Sequence, residues 1–185
     1  MFRTGVPPAL LRAGAVALMA ALVSSSPWAS ASKRRVEHIR AGTRVGPIVL
    51  GETNLRRAQS WFGAPSGRRR MGLGCIEAIR VRWGDGLEVF FSTRGRKRAI
   101  EGTIRKRAIS SREHGRLEVH TRKGLRVGDS NRRLRRLYPG KRPVEHGRHY
   151  DWFLASGPTD GRLVAITKRK RGKVVALFAG PYENC

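Results

Sequence analysis

The chain has 185 residues, of which 39 are Lys or Arg and 13 Asp or Glu, for a formal net charge of +26; aromatic residues make up 7% and there are two cysteines. A charge of that size draws polyanions and repels like molecules. Two cysteines without CxxC spacing exclude a disulfide-dense scaffold and a structural zinc knuckle.

The first 31 residues read as a secretory signal. Arg3 and Arg12 supply a positive start, Ala13 to Val23 a short apolar run, and Ala29, Ser30 and Ala31 a small-residue cleavage site. The apolar run is shorter than the roughly 20 residues a membrane span needs. The chain is therefore expected to be secreted or otherwise extracytoplasmic, with no transmembrane segment once the signal is removed. Residues 32–44 follow as a flexible basic segment. What remains is long enough for one domain or two small ones. Cys75 and Cys185 are an even count in an exported chain, which predicts one disulfide closing a long loop.

The stretch "IVLGETNLRRAQSWFG" opens the folded part, and "LRVGDSNRRLRRLYPG" repeats its pattern later. Placing Gly51 over Gly128 also aligns Asn54 with Asn131, Arg56 with Arg133, Gly63 with Gly140 and, further on, Gly95 with Gly172. Thr53 and Ser130 stand where an N-cap hydroxyl would accept from the first helical turn. Leu55, Ala58 and Phe62, and Leu134, Leu137 and Tyr138, are spaced for one helical face, although the two faces are slightly out of register. After each helix come short β-branched and aromatic runs between Gly-rich turns: "CIEAIRVRW", "LEVFFS", "RAIEGTI" and "RLEVH", then "HYDWFLA", "RLVAIT" and "KVVALFA". The expected architecture is α+β, with repeats at 45–122 and 123–185. Each would be a short helix, or helix-loop-helix, on an antiparallel β-meander, and the two could share one continuous concave sheet.

The "LGET" and "VGDS" helix starts, the "FGAP" and "YPG" stops and the "DGLEVFF" and "GRLVAIT" strands resemble the β-lactamase inhibitory protein fold and its exported bacterial relatives, including SmpA/OmlA (BamE-type) domains. The resemblance covers roughly Val45 to Phe178. It implies a fold built for protein–protein contact, with a broad concave sheet as the binding surface. The chain departs from those relatives in having Arg56 and Arg133 where a capping-box Glu would stand, no lipidated cysteine, and a far more cationic surface. β-Lactamase inhibition is not carried over.

Constellations for chemistry are thin. Glu113, His114, Glu118 and His120 lie close in sequence, and Glu145, His146, His149 and Asp151 have spacing that could gather around zinc; both groups read more simply as solvated polar positions. No catalytic, metal or cofactor-binding residue is assigned, and the chain is expected not to be an enzyme. Basic clusters occupy corresponding turns: Arg94, Arg96, Lys97 and Arg98 in one, and Lys168, Arg169, Lys170, Arg171 and Lys173 in the other. These are candidate polyanion contacts. "RRLRR" lines the second helix, and "RRR" at Arg68 to Arg70 reads as a loop. Trp83, Phe91, Tyr150, Trp152 and Phe153 are candidate protein-contact aromatics. Strand alternation requires one of Trp152 and Phe153 to point away from the core. The function expected is an exported, monomeric, non-catalytic module that binds an extracellular or envelope protein through its sheet. The alternatives are a polyanion binder, for cell-wall polymer, an anionic membrane surface or extracellular nucleic acid, and a small secreted hydrolase.

Overall fold

The structure, a computed structural model, describes residues 35–73, 76–84, 86–113, 115–157, 161–169 and 172–181. The signal segment, Cys75 and Cys185 lie outside the described residues.

Alternation of buried and exposed side chains sets the strands. In β9 (Gly115–Thr121), Leu117, Val119 and Thr121 turn inward while Arg116, Glu118 and His120 do not. β9 lies between β1 (Arg35–Arg40) and β8 (Ala108–Ser111), and β2 (Arg44–Val45) and β3 (Ile48–Val49) extend β1 into a five-stranded sheet ordered β3-β2-β1-β9-β8. The remaining strands are β4 (Gly67–Leu73), β5 (Ile76–Trp83), β6 (Leu87–Ser92), β7 (Ala99–Ile104), β10 (Pro143–His146), β11 (His149–Ser156), β12 (Gly161–Lys168) and β13 (Val174–Pro181). They form an antiparallel eight-stranded sheet ordered β10-β11-β12-β13-β7-β6-β5-β4.

The two sheets face each other over the core. Ile39, Val45, Ile48, Leu117 and Val119 from the small sheet join Val81, Val89, Phe91, Ile104, Leu163 and Leu177 from the large one, and each such side chain contributes about 1.5–3 kcal/mol by leaving water. The sheets approach closely at Gly102 of β7, where a Cβ would stand 3.0 Å from a Val45 methyl.

The α+β expectation is therefore corrected. The described residues are mostly β, with thirteen strands in two sheets and two helices, α1 (Leu55–Phe62) and α2 (Asn131–Leu137). Two repeats of a helix on a meander do not describe this arrangement, because a second sheet does most of the covering. Its source is residues 35–49, partly read as a flexible segment, joined in parallel to β9 with Glu37 opposite Val119 and His38 opposite His120. A period of two in the sequence shows that a strand exists but not which distant strand it joins.

The helix starts are built alike in detail. Gly51 N–H donates to Ala99 O, and Gly128 N–H to Val174 O, both at 2.7 Å. The cap of α1 is Asn54, whose Oδ1 accepts from Arg57 N–H at 2.8 Å, and not Thr53, whose buried hydroxyl accepts from Val49 N–H at 2.9 Å. Ser130 caps α2 by accepting from Arg133 N–H at 3.3 Å. The caps are therefore one residue off the sequence alignment. That slip brings Ala58 and Leu134 into matching buried positions and accounts for the mismatch of the apolar faces.

Candidate functional site

The face of the large sheet turned away from the core carries two rows of side chains set by register. One row runs Phe153, Val164, Phe178, Thr103, Glu88 and Arg82 across β11, β12, β13, β7, β6 and β5. In the next row Glu101 stands opposite Phe90, Phe90 opposite Arg80, and Arg80 opposite Arg69 on the edge strand β4. Phe90 and Val164 are buried outside the core cluster, whereas Phe153 and Phe178 are half-exposed. The Arg162 guanidinium lies 5.4 Å from the Phe153 ring centroid, within cation–π range.

Two carboxylates sit on this face in different states. Glu88 accepts from Arg82 Nε at 3.2 Å, and Arg105 Nη2 lies 3.8 Å from its other oxygen. Glu101 has its pKa pushed up from the ordinary 4.5 to about 7, first by burial and then by the charge of Glu88. Because the native value is the higher one, ionising Glu101 costs nothing below about pH 4.5; the cost accumulates as pH rises and is complete above about 7. Glu101→Gln is therefore expected to melt with the parent near pH 4.5 and several degrees above it at pH 8. The pH 8 difference corresponds to about 1–3 kcal/mol after allowance for solvent screening. Thermal melts across that range check the prediction, and parallel curves for the two proteins would contradict it.

Of the aromatics expected to contact a partner, Trp83, Phe91 and Trp152 are 6%, 0% and 1% exposed and belong to the core, which corrects that expectation. Tyr150 packs partly against the core, and Phe153 alone of the five lies on the outer face. The expected basic turns are both exposed, but they differ. In the β12–β13 turn Arg169 Nη1 pairs with Glu145 Oε1 at 2.8 Å, Lys168 and Lys173 are exposed, and Lys170 and Arg171 lie outside the described residues. In the β6–β7 turn Arg94, Arg96 and Lys97 are exposed with no carboxylate partner among the described residues, and Arg98 Nη1 donates to Gly51 O at 3.1 Å. "RRR" is not a loop: Arg68 to Arg70 lie on β4, and all three are exposed.

The polar groups considered for metal do not assemble. Arg126 Nη1 pairs with Glu118 at 3.2 Å, and His120 meets His38 edge-on with ring centroids 5.1 Å apart. Burial pushes the His120 pKa down, with Arg126 and His38 adding to the effect. His114 lies outside the described residues. His146 Nδ1 is 3.4 Å from Asp151, and Glu145 is held by Arg169. No group of three or more His, Cys, Asp or Glu able to hold a metal occurs among the described residues. No helix among them is long and apolar enough to cross a membrane.

Glu88 and Glu101 were missed in the sequence. The available signal was an acidic residue inside each of two apolar strand patterns, "LEVFF" and "AIEGTI", in a chain poor in acids.

No family model matches the chain, and no curated protein matches it. A similar solved structure is that of an extracellular protein containing a SCP domain from Bacillus anthracis str. Ames. It has a TM-score of 0.42 and 8% sequence identity, with 81% of this chain and 49% of that one covered. This chain thus spans about half the length of that protein. A likeness at that level carries no argument about function.

Proposed function

We propose that the chain is an exported, non-catalytic binding module that engages a protein partner through the outer face of its eight-stranded sheet. The observation that carries this reading is the row from Phe153 through Val164 and Phe178 to Glu88 and Arg82, which sets half-exposed rings beside an ordered ion pair on one rigid surface. Interfaces draw their affinity from anchors of this kind, held in place and rimmed by polar groups. With a net charge of +26, an acidic partner would be drawn in fastest.

The test is capture from envelope and culture-supernatant fractions by immobilised protein, washed at low and then at high salt. A discrete protein retained at high salt by the parent and lost by Phe178→Asp is the expected result. Retention that is unchanged in Phe178→Asp, or capture that salt abolishes, would overturn the proposal.

A further inference from the structure

A group of basic side chains lines the β4 end of the large sheet. Clusters elsewhere are partly committed: Arg133 pairs with Asp129 at 3.1 Å, Arg135 lies 5.6 Å from the Trp152 ring centroid, and Arg169 is held by Glu145. At the β4 end, Arg69 stands directly opposite Arg80, and neither pairs with a carboxylate among the described residues. Like charges placed opposite each other on neighbouring strands destabilise a sheet. A chain with so few acids could have relieved this pair with one of them and has not.

Three hollows lie there, each sharing a lining residue with the next. The first, of about 340 Å³, is lined by Ser66, Gly67, Arg68, Arg69, Arg80 and Arg82. Arg68 also lines the second, with Arg56 and Lys97 beside the start of α1. Gly95 and Arg96 line both the second and the third, which Arg94 and Arg98 complete. No acidic and no aromatic residue lines any of the three.

The turn shared by the second and third hollows is held firmly. Leu55 N–H donates to Lys97 O at 3.2 Å, Ala99 N–H to Thr53 O at 2.8 Å, and Arg94 N–H to Ser92 Oγ at 3.0 Å. Lys97 has φ +50°, a left-handed conformation that no other non-glycine residue among those described adopts. Such a position suits glycine, yet a cation occupies it.

We propose that these hollows form one track for a linear polyphosphate-type anion, a chain of closely spaced phosphoryl groups recognised through their oxygens. Guanidinium forks match phosphoryl oxygens in pairs, which a compact ammonium does not. A succession of three hollows sharing lining residues favours a polymer over a single ion. The absence of aromatics along the track removes the stacking on which single-stranded nucleic acid depends. The track borders the protein contact proposed above and shares Arg82 with it, but neither requires the other.

The experiment is fluorescence anisotropy of a labelled inorganic polyphosphate chain with the full protein across a sodium chloride series. Parallel arms use heparin and an oligothymidylate of equal charge. Arg68→Gln, Arg69→Gln and Arg80→Gln together are expected to lower polyphosphate affinity at least about tenfold and to flatten the salt dependence by about two to three units of slope. The control Arg132→Gln, Arg136→Gln and Arg142→Gln, which removes the same charge elsewhere on the surface, should stay within about threefold. The track variant should melt no lower than the parent, because it removes the Arg69 and Arg80 repulsion. Lys97→Gly provides an independent variant, expected to be as stable as the parent or up to about 1 kcal/mol more stable and yet to bind more weakly. Equal losses in the track and control variants would show that net charge alone binds and would overturn the proposal. Heparin or oligothymidylate binding as tightly as polyphosphate would overturn the ligand class.

Discussion

Trp152→Ala is expected to destabilise the protein by about 3–5 kcal/mol, a large share of the stability of an ordinary domain, whereas Phe153→Ala one residue later should cost less than about 1 kcal/mol. Trp152 is 1% exposed, and its indole N–H donates to the hydroxyl of Thr167, itself 0% exposed, at 3.1 Å. Truncation therefore opens a large cavity and also leaves a buried hydroxyl without its donor, two penalties that add. Phe153 alternates to the other face, where solvent already reaches it. Urea unfolding of the two variants separates these roles. Similar midpoints would mean that the facing of β11 has been misassigned.

Gly180→Ala is the second large expected loss, about 1–3 kcal/mol or more. Gly180 lies on β13 with its missing side chain aimed at β7. A Cβ there would run into Glu101 Cβ and stand 3.2 Å from Glu101 Cα and 3.0 Å from Phe178 Cζ. The obstacle includes backbone of the neighbouring strand, so rotating a side chain does not relieve it. Its location matters too, because β13 and β7 are paired only through Leu177 with Ile104, Phe178 with Thr103 and Ala179 with Gly102. Thermal melts at pH 5 and pH 8 would show the loss. Unchanged melting at both would indicate that the strands separate more readily than this packing allows.

Much of the local structure could be read from the residues, because side-chain alternation is a local property. "LEVFFS", "RLVAIT" and "KVVALFA" became β6, β12 and β13. What could not be read depends on partners far along the chain. The parallel pairing of β1 with β9 leaves no mark on either segment, so Arg35 to Arg40 looked like a basic tail. Three consecutive arginines looked like a loop because charge outweighs strand propensity in such a reading. In fact Arg68 to Arg70 occupy an edge, where charge is tolerated and protects the sheet from unwanted pairing. The Thr53 misassignment arose from two adjacent capping residues, Thr53 and Asn54, of which tertiary contacts selected the second. Three of the candidate contact aromatics belong to the core instead: Trp83 lies 5.6 Å from Phe62 of α1 and donates to Gly63 O, Trp152 lies beneath Arg135 of α2, and Phe91 is fully buried.

β13 follows every other strand in chain order, yet it lies fourth of eight in its sheet, between β12 and β7. Until Val174 to Pro181 are in place, β4 to β7 and β10 to β12 are two separate ribbons, each ending in an open hydrogen-bonding edge. Joining them is a closure between distant segments, the kind of step that slows folding, and the open edges are liable to pair with other chains while they wait. A chain interrupted before Val174 would thus be not a smaller version of this protein but two sticky halves of one.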